Sequence, residues 1–413
     1  MRVAGYETLT CAFGWRTISF LKLTTDDGIV GWSEFSEGFG SPGLTGVVDA
    51  CASYVVGEDP MKIEAITFPL SASLRPARGA INRQAVAAIE NALLDVKGKA
   101  VGLPVSALLG GAVRERIPVY WSHCGSYRIG KRAEHLNVEP LRTFEDVVTL
   151  GQHVRNAGFL GLKTNILGLE DPLVAERGNT FARGLSAGRL WDTRMIAEAV
   201  KVVAAFREGA GEGVDIYLDV NFNFDTEGAL RVEQAVRPYN LAWLEMDMHD
   251  PAGLALVRHR GSTPIGSGEA IYERYGYRPY FESQAMDVAI VDVLWNGYIE
   301  SLKIAALAES YQTPVAPHNF YGHLASMISA HFAASVPNLH VMEIDVDGMP
   351  WRDDLTTPPV FEDGCLVLPE APGWGVEVDE QAIRAHSSKA SRAASDPQAE
   401  KTTSHDPEKE QCA

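Results

Sequence analysis

Seven short apolar stretches of this chain each end on a residue able to do chemistry. In order these are Lys163 and Asn165, Asp219 and Asn221, Glu245, Glu269, Asp292, His318 and Glu343. A single polar residue after an apolar run is ordinary, since polar groups often end strands. Seven at the same place in consecutive units indicate one shared site. Three of the acids, Asp219, Glu245 and Glu269, come from successive stretches. If those stretches are neighbouring strands, less than about 5 Å apart, the carboxylates repel one another unless a cation lies among them. An all-oxygen set without nearby Cys or His selects a hard divalent ion, Mg2+ ahead of Mn2+ or Ca2+. Solvated strand-end acids are the rival reading, good for one such residue and poor for three.

Asp292 and His318 end the next two stretches. A carboxylate beside an imidazole fixes its tautomer and raises its basicity, which makes a poised general acid/base. The chain has 11 histidines, and most histidines are structural. His318 is singled out because it ends an apolar run with Asp292 one unit before it. His323 and His331, further along, are expected to be structural. Lys163 and Asn165 are two apart, so on a strand both face the same way. An inward Lys163 beside three acids either balances charge or meets a substrate carboxylate and a proton, and the second reading is preferred. Asn221 shares the face of Asp219, and both asparagines are taken as substrate contacts.

Such residues need elements that bring them to one place. From Ile117 onward, eight apolar segments alternate with helical patterns: IPVYW, LGLKTN, VDIYLDVN, LAWLEMD, PIGSGEA, VAIVDVLW, TPVAPHN and LHVMEID. Ile196, Val200 and Val203 share a helical face, and 299–311 is a second helical interval. Eight units over 116–345 indicate an α/β fold with a parallel barrel rather than an open doubly wound sheet, because barrel strand ends ring one mouth. Residues 1–115 read differently, as a small α+β domain. TISFLKLTT and IVGWSEF form a hairpin around Asp26-Asp27-Gly28. A helix follows, with Val86, Ile89, Leu93 and Val96 on one face and Gly98 and Pro104 ending it. Residues 389–413 hold no Val, Ile, Leu, Met, Phe, Tyr or Trp and are expected to be a disordered tail.

Composition narrows the function classes. The chain has 413 residues, 46% hydrophobic and 22% charged, which suits a globular enzyme and excludes a collagen-like fibre or a coiled coil. Its 54 acidic residues outnumber 36 basic ones, for a net charge of −18. That surface repels phosphate backbones and anionic lipid, so no nucleic acid or membrane partner is expected. Five cysteines without a C-x-x-C spacing form neither a disulfide framework nor a zinc site. With no apolar leader and no membrane-length apolar run, a cytoplasmic location is expected. Gly38-Phe39-Gly40-Ser41-Pro42-Gly43 is a literal G-x-G-x-x-G with Glu58 downstream, but no second buried strand follows. The glycines are read as a flexible loop, not a dinucleotide site.

Several segments together resemble the enolase superfamily and, within it, the mandelate racemase subgroup. They are AAIENALLDVKGKAVGLPVSALLGG, YLDVNF, WLE, GSGEA, VDVLWNG, VAPHN and PGWGVEVDE, and the likeness runs to about His386. The resemblance implies a (β/α)7β TIM-like barrel with an α+β capping domain built from both chain ends, residues 346–388 returning to the cap. It makes Gly38–Gly43 a flap over the barrel mouth. It implies Asp219, Glu245 and Glu269 as Mg2+ ligands, with Mn2+ as a substitute, and His318 with Asp292 as the acid/base pair. Glu343 would hydrogen-bond a carboxylate of a small-molecule substrate. The shared family step removes a proton α to that carboxylate, with the metal stabilising the enediolate, which suits the weak acidity of such a proton.

Two departures sharpen this. The family often has K-x-K where this chain has Lys163-Thr164-Asn165, and Asn cannot exchange a proton with carbon. A two-base racemase is therefore disfavoured. Dehydration of an acid sugar to a 2-keto-3-deoxy acid is preferred, with His318 taking the α-proton and His318 or Lys163 assisting loss of the β-hydroxyl. Asn221 stands where some such relatives carry His. Asp247, in WLEMDMHD, replaces a common Glu-Pro and is given no role. An insertion over 168–192, with Arg177, Arg183 and Arg189, is either a mouth loop that neutralises a second carboxylate or plain surface. The alternatives are a racemase, epimerase or cycloisomerase on the same scaffold, or a non-catalytic enolase-like protein. A homo-oligomer is the expected assembly.

Overall fold

The computed structural model describes residues 1–38, 41–171, 174 and 189–387. Three strands, β1 (Val3–Phe13), β2 (Arg16–Thr25) and β3 (Val30–Phe35), form an antiparallel sheet in chain order. The expected hairpin turn is present: the Gly28 amide donates to Thr25 O (3.0 Å) with Gly28 at φ 86, a conformation open to glycine without a Cβ penalty. Helices α1 (Leu44–Ser53), α2 (Ile63–Ser73) and α3 (Ala80–Val101) complete the capping layer. The predicted face of α3 is buried, Val86, Ile89, Leu93 and Val96 all being 0–1% exposed. Gly98 does not end this helix, contrary to expectation. The helix runs on to a left-handed cap at Gly102 (φ 70). Gly98 is instead a contact point, where a Cβ would come within 2.8 Å of the Gly373 backbone.

Eight parallel strands follow, matching the eight expected segments: β4 (Arg116–Ser122), β5 (Gly161–Thr164), β6 (Asp215–Asp219), β7 (Trp243–Glu245), β8 (Ile265–Ser267), β9 (Val288–Asp292), β10 (Val315–His318) and β11 (Met342–Asp345). Strands β4 to β10 are hydrogen-bonded in chain order, and β11 pairs with β4. Leu339, just before β11, bridges Val315 of β10 and closes the ring. Helices such as Arg189–Ala210, Thr226–Val236 and Tyr298–Ser310 fill the connections. This is the (β/α)7β barrel. Its interior is packed with side chains, Tyr120, Tyr217 and Trp243 meeting at ring distances of 3.9–5.7 Å. Gly266 on β8 makes room for them, since a Cβ there would lie 2.7 Å from Trp243. Barrel strands feed a mouth at their C-terminal ends, directly above this aromatic floor.

A hairpin of β12 (Phe361–Glu362) and β13 (Cys365–Val367) adds antiparallel to the start of β4. The chain then returns to the capping layer. Trp374 is buried, with its backbone amide on Asp95 of α3 (3.0 Å) and its indole on Asn91 O (3.2 Å). The helix Glu380–Ala385 reaches Lys22 and Glu7 through ion pairs, and Ser387 bridges Cys11 of β1. Among the described residues strand β3 has only an antiparallel neighbour, which does not fit the βαβ unit of a dinucleotide site. Phe39 and Gly40 of that loop, most of the 168–192 insertion with Arg177 and Arg183, and the 388–413 tail lie outside the described residues. Arg189 opens a helix rather than lying in the loop. Among the described residues, no helix is long and apolar enough to cross a membrane.

Candidate active site

All nine residues selected from the sequence are buried at the mouth end of the barrel. Asp219, Glu245, Asp292 and His318 are the last residues of β6, β7, β9 and β10. Lys163 and Glu343 lie within β5 and β11, and Asn165, Asn221 and Glu269 follow their strands by one or two residues. Regular parallel register brings them together: Asp219 sits beside Glu245, and Asp292 beside His318.

One carboxylate oxygen from each of Asp219, Glu245 and Glu269 lies within 4.8 Å of the other two. Burial pushes the Asp219 carboxyl up to about 6 and Glu245 up to about 7, with Lys163 pulling both back. Burial also pushes Glu269 well above its ordinary value, against the pull of His318. Three hard oxygen donors this close, disfavoured as bare anions, could hold a metal ion. Their supports are fixed. Asn165 Nδ2 donates to Asp219 Oδ2 (3.1 Å), as does Asn221 Nδ2 (2.9 Å), and the Asn221 amide reaches Oδ1 (2.7 Å). Asn165 Nδ2 also donates to the Asp219 carbonyl (3.2 Å), so both of its hydrogens go to Asp219, whereas Asn221 Nδ2 gives one. Trp243 Nε1, from the barrel floor, donates to Glu245 Oε2 (2.9 Å). A fourth acid, Asp247, is 95% buried by its 5% exposure. Its Oδ1 accepts from the Gly268 amide (3.1 Å), and its Oδ2 has no partner among the described residues.

His318 Nδ1 lies 2.7 Å from Asp292 Oδ2. That oxygen also accepts from Tyr321 Oη (2.5 Å), while Asp292 Oδ1 accepts from the Trp295 amide (2.7 Å). A carboxylate meeting donors on both oxygens places the ring hydrogen on Nδ1 and leaves Nε2 toward the site. Nε2 is 3.3 Å from Glu269 Oε2 and 4.0 Å from Glu343 Oε2. Burial opposes a charge on this ring, but Glu269, Asp292 and Glu343 outweigh it and push the imidazole up to about 10. Lys163 Nζ bridges Glu245 Oε1 and Glu343 Oε1, at 2.9 Å each. Those two acids overcome burial and hold Lys163 well above its ordinary value. It is a fixed cation, poorly suited to exchange a proton.

Residues 149–382 match the enolase C-terminal domain-like family, and residues 9–110 match the mandelate racemase/muconate lactonizing enzyme N-terminal domain. The chain belongs to the mandelate racemase/muconate lactonizing enzyme family. Among its relatives, a D-galactonate dehydratase family member from Chromohalobacter salexigens is 30% identical over 402 residues, 91% of this chain and 92% of that one. A D-xylonate dehydratase from Haloferax volcanii is 29% identical over 375 residues, 89% and 84% of the two chains. A proposed L-alanine-DL-glutamate epimerase from Burkholderia xenovorans, crystallised with magnesium and fumarate, is 42% identical with a TM-score of 0.88, covering 94% of this chain and 96% of that one.

Within this family site, sequence reading passed over Ser122, the last residue of β4, and His123, which follows it. The signal was present: the segment IPVYW is continued by Ser-His, the eighth unit to end on polar groups. Tyr321 and Trp295 were also missed. Tyr321 reaches Asp292 from a loop whose path no periodicity sets, and Trp295 through the backbone amide of a one-turn helix, Val293–Asn296, that Asp292 caps. A cavity of about 20 Å³ lies between His123, Lys163, Asp219, Glu269, Trp295, His318 and Phe320. It has room for about one water, so a larger ligand must displace part of the wall. From the cap, Arg16 reaches Asp345 Oδ2 (2.5 Å) and the Phe320 carbonyl, placing the β1–β2 hairpin tip over the mouth. His323 and His331 are structural as expected, bound to Asp353 and to the Trp374 carbonyl.

Proposed function

We propose that this chain is a Mg2+-dependent acid-sugar dehydratase that converts a polyhydroxy carboxylate to a 2-keto-3-deoxy acid. The observation that carries this is one imidazole–carboxylate pair, His318–Asp292, beside the acid triad, with an amide committed to Asp219 where a second base would stand. The donor set fits the metal: Asp219, Glu245 and Glu269 would hold it, and the unpartnered Asp247 Oδ2 adds negative charge beside them. Bound there, a divalent cation would neutralise charge building on the substrate carboxylate as its α-proton leaves.

The chain's own residues do the rest. Lys163 presents positive charge to the substrate carboxylate, and Glu245 and Glu343 hold its Nζ in place at 2.9 Å each. Glu269 contributes most to raising the His318 ring; with a cation offsetting that charge, the ring would be neutral and its Nε2 free to take the α-proton, with Asp292 stabilising the imidazolium. The same imidazolium then donates to the β-hydroxyl, which leaves as water while the C–H electron pair becomes the C=C bond of an enol. Tautomerisation yields the keto acid. The names of the dehydratase relatives support this reading. The name of the Burkholderia structure favours a second one, epimerisation on the same scaffold.

Incubation with aldonic and aldaric acids and Mg2+ separates these readings. Dehydration requires 2-keto acid formation, lowered about 10²–10⁴-fold by His318→Asn. Solvent deuterium uptake without keto acid would instead establish epimerisation. Neither signal on a broad panel, with no metal-dependent stabilisation, would sink the enzyme reading.

A further inference from the structure

His123 stands at the mouth end of β4 and lines the same cavity as His318, Lys163, Asp219 and Glu269. Its backbone has φ 48, a left-handed conformation that few non-glycine residues adopt, His, Asn and Asp more often than the others. The ring is held firmly in return. It stacks on Tyr127 at 4.5 Å and 7°, with Phe320 at 5.7 Å on another side. A strained residue held by several contacts at a site mouth is a functional candidate.

Hydrogen-bond counting settles what this ring can do. Ser122 Oγ lies 2.5 Å from Glu343 Oε1 and 2.8 Å from His123 Nδ1, and it has one hydrogen to give. Lys163 and His318 overcome burial and push Glu343 down to about 2, so its carboxylate only accepts. The serine hydrogen therefore goes to Glu343, and His123 Nδ1 must donate to Ser122 Oγ. Burial keeps the His123 ring neutral, well below its ordinary value despite Glu343. A neutral imidazole has one N–H, so Nε2 is a bare lone pair, without a hydrogen bond among the described residues. Such an atom accepts from a hydroxyl and repels a carboxylate oxygen. It cannot supply a proton to a departing group.

We propose that His123 is a specificity residue whose Nε2 accepts a hydrogen bond from a substrate hydroxyl, so that the site prefers polyhydroxylated acids to simple hydroxy acids. The ligand class rests on the acid-sugar reading above. The test is made in binding, with His318→Asn as a background that prevents turnover. Calorimetry with Mg2+ compares D-xylonate, D-galactonate and D-mannonate with the acids that lack one hydroxyl at a time. Loss of one particular hydroxyl is expected to weaken binding about tenfold, the scale of a neutral hydrogen bond. Adding His123→Asn, which tolerates the left-handed backbone but is too short to reach, should weaken the parent acid about tenfold and leave that deoxy acid unchanged. Ser122→Ala, which removes the group that sets the tautomer, should lower the same discrimination.

Equal weakening of parent and deoxy acids, or none, overturns the proposal. So does loss of α-deuterium exchange in the single His123→Asn variant with binding intact, the mark of a second base. Binding with the expected pattern but no 2-keto acid from the wild-type chain would sink the dehydratase reading alone. Failure to bind any of these acids overturns both.

Discussion

Three buried acids whose oxygens approach within 4.8 Å make the metal-free site electrostatically costly. Replacing one of them should relieve the fold while removing the ion. Glu269→Gln is expected to leave apo stability unchanged or slightly raised, and to abolish the rise in Tm that Mg2+ gives the wild type, about 2.7 kcal/mol of linkage at a hundredfold excess over Kd. Thermal melts with and without Mg2+ and chelator check this, and a retained Mg2+ shift in the variant would refute it. The acids, His318 and Lys163 were legible because each ends an apolar segment. Asn165 and Asn221 were placed correctly but not their bonding: only the structure shows that Asp219 takes their amide hydrogens. Ser122, His123 and Tyr321 needed the exact end of a strand or the path of a loop.

Elements were legible where periodicity is strong and less so where backbones touch. Gly98 looks like a helix terminator in the chain, yet it is where α3 meets the returning C-terminal segment at Gly373. Gly98→Ala should therefore destabilise by about 1–3 kcal/mol, although Ala is the better helix former by about 1 kcal/mol. Urea denaturation decides, and a stabilised variant would mean that Gly373 moves away freely. Glu233 shows a different link between elements. Its carboxylate, on the helix Thr226–Val236, accepts from Arg237 (2.6 Å) and from the Ser262 and Thr263 amides ahead of β8 (2.9 and 3.1 Å). Burial works against the charge, but these donors push the carboxyl down to about 2. A lowered carboxyl stabilises the fold above its ordinary value near 4.5, and that contribution is lost as pH falls toward 2. Glu233→Gln should cost about 1–3 kcal/mol at pH 7 and progressively less below pH 4. A cost independent of pH would assign the effect to packing.

At the scale of the whole molecule, the site is a joint product of barrel and cap. Arg16 crosses between them to Asp345, with the two side chains 2% and 0% exposed. Removing one member of so buried a pair strands the other charge. Arg16→Ala is expected to cost about 3–5 kcal/mol, and to speed hydrogen exchange at the β1–β2 tip. Arg16→Leu combined with Asp345→Leu should recover most of the loss. If the double variant is no better than the single one, the pair matters through geometry rather than charge. Glu34 adds a second tie, its carboxylate accepting from the Gly322 and Ala325 amides (2.7 and 3.0 Å) at the start of the helix His323–Ser335.

The chain alone determined the eight strands, the helices between them and the acids at their ends, because hydrophobic period and strand-end polarity are local properties. Through its resemblance to a family that often has K-x-K there, Lys163-Thr164-Asn165 also implied one acid/base pair rather than two. Tertiary structure alone decided which hydrogen each carboxylate receives, since that depends on donors brought from distant loops and from the cap. His123 shows the difference most clearly. Its place after a strand is written in the sequence, whereas its tautomer follows from Glu343, 220 positions away, competing for the one hydrogen of Ser122.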